Sequence, residues 1–152
     1  MVLEDYYLEH IVLCLSDGLL AQCGIDLDTH RGEIASGNLS ALRGCPFVLG
    51  SAEDIGGRIG RGLLRSSGVS PVSKATSENV ETLLALCEQG VGACFCPENL
   101  LHTALSPAQL AHLHILPLCP EASYPICFGY LSRSYPWSVL SEFIRIAREQ
   151  TA

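Results

Sequence analysis

The chain has 152 residues, enough for one ordinary domain or two small lobes with a buried core. It is 48% apolar and 16% charged, with a formal net charge of −7, which excludes disorder and argues against direct contact with nucleic acid. No apolar run approaches the roughly 20 residues of a membrane span, and the acidic start Met1-Val2-Leu3-Glu4-Asp5 is unlike a secretory leader. A cytoplasmic chain with no membrane partner is expected.

His10 to Ser16 is the first buried strand. Asp17 to Gly37 is polar and glycine-containing, an excursion with one helical turn near Leu19–Gln22. Asn38 caps a short helix through Leu42, closed by Gly44. Pro46 to Leu49 is a second strand. Gly50-Ser51 then opens a helix to about Ser67, with Ile55, Ile59, Leu63 and Leu64 on its inner face. Gly56, Gly57, Gly60 and Gly62 weaken that helix by roughly 1 kcal/mol each relative to alanine. Val69 to Ala75 is a short, half-exposed strand.

Residues 76–97 carry the clearest pattern. Ser77 and Asn79 can bond the free N–H groups of a helix start. Val80, Leu83, Leu84 and Cys87 recur at helical spacing, Gly90 stops the helix, and Val91 to Cys96 is a strand apolar on both faces. Pro97 stands at the first turn of a further helix. Ser106-Pro107-Ala108-Gln109 is a capped turn, Leu113 to Leu118 a strand, and Tyr124 to Ser132 another. Tyr135-Pro136-Trp137 turns into a last helix with Val139, Leu140, Phe143, Ile144 and Ala147 inward. Strands alternating with helices predict an α/β fold with a mixed, mostly parallel sheet.

The eight cysteines are Cys14, Cys23, Cys45, Cys87, Cys94, Cys96, Cys119 and Cys127. Most sit in apolar runs, where free cysteine behaves as a small buried hydrophobe, and reduced thiols are expected. Cys94-x-Cys96 with His112-x-His114 has the wrong spacing for structural zinc, so no metal is expected. No Gly-x-Ser-x-Gly elbow is present, and no catalytic residue or cofactor is assigned.

The order of these pieces resembles the C-terminal part of the effector-binding domain of bacterial LysR-type transcriptional regulators. The resemblance is carried by Leu8 to Ala21, by Leu39-Ser40-Ala41-Leu42-Arg43-Gly44-Cys45-Pro46-Phe47-Val48-Leu49, by the unit of residues 77–97, and by the closing strand from Ile126 to Leu131 with its helix. It spans about residues 8–150. It implies two lobes of the type II periplasmic-binding-protein kind, with a small ligand held between them. One complete lobe would cover roughly residues 18–122. Residues 8–16 and 124–150 would belong to the other lobe, whose earlier strands and helices, like a winged helix-turn-helix before them, are not in this sequence. The resemblance implies a sensor of a small, anionic effector, a homo-oligomer, and contact with DNA only through the absent domain. An incomplete lobe would also expose a sheet edge and apolar surface, and so favour self-association. The alternative is a free-standing solute-binding or enzyme domain of the same fold.

Ligand contacts are expected at Gly50, Ser51 and Ala52, where a strand passes into a helix, and at Thr76 and Ser77, the next such junction. Gly92 is a further candidate, for close approach of the backbone. At each, helix capping or turn geometry is the competing explanation. One LysR-type subfamily senses peroxide through a cysteine just after the 47–49 strand; residues 50–58 contain none, so the resemblance argues against that subfamily.

Overall fold

The computed structural model describes residues 1–132 and 137–151, and the chain divides into two units: His10–Ala122, and Met1–Glu9 with Ser123–Ala152. Strand β1 (Val2–Ser16) contributes to both. Its first residues alternate between half-buried and exposed, whereas Ile11 to Ser16 are all buried. That is the change from a strand covered on one face to one covered on both. The strand begins well before His10, where the apolar run starts, because the carboxylates that interrupt the run have partners. Arg148 Nη2 donates to Glu4 Oε2 at 3.0 Å, the Tyr130 hydroxyl donates to Glu4, and the Tyr7 hydroxyl donates to Glu9 Oε2 at 3.3 Å.

In the unit His10–Ala122 the polar stretch after β1 forms two helices, α1 (Asp17–Cys23) and α2 (Leu27–Ala35), rather than a single turn. Side-chain caps make this possible. Ser16 Oγ accepts from Leu19 N at 3.3 Å and Asp26 Oδ1 accepts from Asp28 N at 3.1 Å. Leu19, Leu27 and Ile34 then supply the buried anchors that a polar sequence needs to stay helical. A 3-10 turn follows at Ser40–Leu42. Beyond it come β2 (Pro46–Leu49), α3 (Ile55–Ser66), β3 (Val72–Thr76), α4 (Val80–Glu88) and β4 (Cys94–Pro97). The unit closes with α5 (Glu98–Ala104), the capped turn α6 (Pro107–Leu110) and β5 (Leu113–Pro117).

Helix α3 differs from its sequence pattern. It starts at Ile55, not at Gly50-Ser51, and Asp54 is its cap. Its buried face is Gly56, Gly57, Gly60 and Leu64, while Ile55 is exposed. The glycines are therefore not merely weak helix formers. A Cβ on Gly60 would lie 2.3 Å from Phe95 Cδ2, so only a bare backbone lets α3 approach β4 this closely.

The strands of this unit form a two-stranded sheet, β2 with β3, and a second sheet around β1, joined by an isolated bridge. β2 and β3 are parallel, with Leu49 opposite Thr76, and a parallel bridge joins Phe47 to Ala93 at the start of β4. β1 lies between β4 and β5 and is antiparallel to both. The strands thus succeed one another as β3, β2, β4, β1, β5. The parallel share is smaller than the alternation of strands and helices predicts, because β1 runs against both of its neighbours. Val12, Val48, Leu84, Cys87, Cys94 and Cys96 belong to one buried cluster. Cysteine fills small gaps there; Cys14 and Cys96 sulfurs are 3.6 Å apart, and Cys87 Sγ donates to the Cys14 carbonyl at 3.2 Å.

In the other unit, β6 (Ser123–Tyr130) pairs with β1, and α7 (Ser138–Thr151) packs on them. Tyr6 and Phe128 rings lie 4.6 Å apart, Phe143 meets Phe128 edge-on at 6.0 Å, and the Tyr6 hydroxyl donates to the Ala147 carbonyl at 3.1 Å. Of the apolar stripe predicted on this helix, Ile144 is buried, but Val139 is 76% and Phe143 59% exposed. Two paired strands are too narrow to cover a stripe that wide. Tyr135 and Pro136, expected to turn the chain into α7, lie outside the described residues.

Candidate functional site

The parallel pairing of β2 with β3 decides the geometry. Both strands point the same way, so the segments leaving their carboxyl ends emerge side by side. Ser77 N donates to the Leu49 carbonyl at 3.1 Å, which ties the second segment to the end of the first strand. Gly50, Ser51 and Ala52 follow β2; Thr76 and Ser77 end and follow β3. The fold brings these five residues to one sheet end, the position where open α/β sheets bind ligands. Gly92 is elsewhere. It is buried beside Phe47 at the amino end of β4, and a Cβ there would lie 2.7 Å from the Phe47 carbonyl carbon. Close packing of two strands accounts for that glycine.

Each serine in the two segments bends its own backbone. Ser51 Oγ accepts from Asp54 N at 3.2 Å, and Ser77 Oγ accepts from Asn79 N at 3.1 Å. Neither is the helix cap that the competing explanation required. Asp54 Oδ2 caps α3, accepting from Gly57 N at 2.8 Å, and Asn79 Oδ1 caps α4, accepting from Thr82 N at 3.0 Å. A hydroxyl that accepts keeps its own hydrogen to donate. Ser51 and Ser77 are half-buried and Ala52 and Thr76 are exposed, so a ligand can reach this end of the sheet.

Two residues that sequence reasoning missed shape the first segment. Arg61 Nη1 donates to the Gly50 carbonyl at 2.7 Å and to the Gly57 carbonyl at 3.4 Å. A Cβ on Gly57 would lie 2.3 Å from the Ser51 carbonyl oxygen and 3.0 Å from Arg61 Nη1. Gly57 and Arg61, one helical turn apart, thus hold the loop down on α3. The spacing Gly57-x-x-x-Arg61 was visible in the sequence, but the loop it grips was not. Asp54 also changes the electrostatics. Its carboxylate already meets the positive end of α3, where it accepts from the Gly57 amide.

The cysteine and histidine pairs are engaged separately. Cys94 and Cys96 are buried in the core, while His114 Nε2 donates to Asp17 Oδ1 at 2.6 Å near the surface.

The family model for the LysR substrate-binding domain matches residues 2–152. The chain belongs to that family. Among solved structures, this LysR-type domain resembles the regulatory domain of CcmR from Synechocystis PCC6803 in complex with 2-PG, at a TM-score of 0.71 and 12% identity. It resembles the effector-binding domain of QuiR in complex with shikimate, at a TM-score of 0.65 and 12% identity. It also resembles HinK, a LysR family transcriptional regulator from Pseudomonas aeruginosa, at a TM-score of 0.69 and 17% identity. The matches cover 99%, 98% and 98% of this LysR-type domain, but 66%, 64% and 48% of those chains respectively. The chain therefore spans less than two thirds of the length of each. A comparison with curated proteins found no match. Likeness at such identity bears on fold, and the family is one of binding domains in regulators. No helix among the described residues is long and apolar enough to cross a membrane.

Proposed function

We propose that the chain is the effector-sensing part of a LysR-type transcriptional regulator and binds a small anion at the carboxyl ends of β2 and β3. The observation that carries this is the parallel register of Leu49 with Thr76, which sets Gly50–Ala52 beside Thr76 and Ser77. Hydroxyls of Ser51, Thr76 and Ser77, amides of the first segment and the nearby Arg61 form a donor-rich end suited to a carboxylate or phosphate. The CcmR and QuiR structures, in complex with 2-PG and shikimate, support a small-molecule ligand for this fold. His10–Ala122 corresponds to one lobe in this reading, and the residues before and after it to part of a second. The regulator acts as a cytoplasmic homo-oligomer and reaches DNA through a domain outside this sequence. The reading assigns no catalysis. The effector works only through its different affinity for two states of the regulator.

The test is calorimetric titration of the full-length regulator with a panel of small carboxylates and phosphate monoesters, paired with DNA footprinting. A true effector binds and alters the footprint. Ser51→Ala and Ser77→Ala each weaken its binding about tenfold, the worth of one hydrogen bond to a charged ligand. A ligand whose affinity ignores both substitutions, or a footprint that no binding ligand alters, refutes the assignment.

A further inference from the structure

Cys23 ends α1 and Cys45 leads into β2, and Cys23 Sγ donates to Cys45 Sγ at 3.6 Å. Both are free thiols. We propose that Cys23 and Cys45 form a reversible dithiol–disulfide couple that a hydroperoxide oxidises.

Access singles this pair out. Cys14 and Cys96 lie at the same 3.6 Å separation, but both are fully buried. Cys23 is partly exposed, so an oxidant reaches it first, with Cys45 buried directly behind it. Cys127, the other partly exposed cysteine, faces the Asp5 carboxylate at 3.2 Å, and a carboxylate cannot close a disulfide. The two sulfurs must approach by about 1.5 Å to bond. The backbone beside each can give. Gly24 follows Cys23 and Gly44 precedes Cys45, with φ of 64° and 80°, and open space surrounds both glycines.

The chemistry balances in two steps. The Cys23 thiolate attacks the terminal peroxide oxygen, the O–O bond breaks, and hydroxide (alkoxide, from an organic hydroperoxide) leaves and takes up the proton the thiol gave up, giving a sulfenic acid. The Cys45 sulfur then attacks the Cys23 sulfur and the S–O bond breaks. The leaving hydroxide takes the Cys45 proton away as water. Two thiols and one hydroperoxide yield one disulfide, one water and the reduced peroxide (a second water, for hydrogen peroxide). Cys45, buried and 3.6 Å from Cys23, is placed as the resolving partner, and burial with the neighbouring Cys23 pushes its thiol well above its ordinary range, so it is not the first to react. The bond would tie the end of α1 to the start of β2. The couple does not depend on the effector assignment.

The experiment treats the reduced 152-residue chain with stoichiometric hydrogen peroxide, traps remaining thiols by alkylation, and maps peptides by mass spectrometry. The expected product is about 2 Da lighter before alkylation, from loss of two hydrogens. It has two fewer alkylated cysteines and a linked Cys23–Cys45 peptide, and dithiothreitol restores all eight thiols. Cys23→Ser abolishes the link, while its thermal transition shows that the chain still folds. Cys45→Ala, if folded, loses the link and leaves Cys23 as sulfenic or higher acid. A fully alkylated chain after peroxide overturns the proposal. So does a link between Cys14 and Cys96 instead, or sulfinic acid on Cys23 of the unsubstituted chain without any link.

Discussion

Gly60 and Gly62 look alike in the sequence and should respond oppositely to alanine. Both lie inside α3, where alanine stabilises by roughly 1 kcal/mol over glycine in a free helix. Gly62 is exposed with nothing within 4 Å of an added Cβ, so Gly62→Ala keeps that gain. At Gly60 the new methyl carbon would lie 2.3, 2.6 and 2.8 Å from Cδ2, Cγ and Cε2 of Phe95. Carbon atoms sit comfortably only at about 3.5–4.0 Å, so the ring must move by more than an ångström. It has little room, being buried and stacked on Phe47 at 5.9 Å and 10°. Overpacking of this kind costs about 1–3 kcal/mol, and a rigid ring against backbone belongs at the upper end. The net effect of Gly60→Ala is a loss of about 1–2 kcal/mol, set against a gain of about 0.5–1 kcal/mol for Gly62→Ala. With a urea slope of about 2 kcal/mol/M, the two unfolding midpoints separate by about 0.75–1.5 M, on opposite sides of the unsubstituted chain. A Gly60→Ala midpoint at or above the unsubstituted value would show that the close approach of α3 to β4 is not what these glycines serve.

Other substitutions test the site and its supports. Gly57→Ala drives a methyl into the Ser51 carbonyl and the Arg61 guanidinium, so amide exchange of residues 50–54 should accelerate while that of β5 stays unchanged. Arg61→Met keeps the stem but frees the Gly50 carbonyl; it should lower stability by about 1 kcal/mol and loosen the same segment, and unaltered exchange there would rule out its role as a clamp. Asn79→Ala removes the α4 cap at a cost of about 1 kcal/mol, whereas Asn79→Asp should be nearly neutral in thermal unfolding. The exposed Val139 and Phe143 of α7 should drive self-association that Phe143→Glu reverses; a monomer at all concentrations in sedimentation would contradict this.

Much of this fold is written in local pattern, and the exceptions have physical causes. β2 was legible to the residue because Pro46 opens its four residues and Gly50 follows them. The α4–β4 unit was legible in outline because Asn79 and Gly90, with φ of 76°, punctuate it, although β4 begins at Cys94 and not at the exposed Val91. The beginning of β1 was hidden, since Glu4 and Glu9 read as surface residues until Arg148, Tyr130 and Tyr7 are beside them. The buried face of α3 was hidden for a different reason. Hydrophobic periodicity finds faces buried by side-chain bulk, and this one is buried by its lack. At the candidate site, the strand-to-helix junctions were visible as sequence. Their adjacency is a matter of strand pairing, and Asp54, Gly57 and Arg61 gained meaning only from it.

The uneven burial of the cysteines has a practical consequence. Six of the eight are buried, while Cys23 and Cys127 are partly exposed and fall in different units. The natural sequence therefore carries its own pair of labelling points. A reduced chain treated briefly with a thiol-reactive spin label should take one probe on each unit, without any engineered cysteine. The distance between those probes, followed as candidate effectors are added, becomes a direct gauge of ligand response in a protein that needs no redesign to be measured.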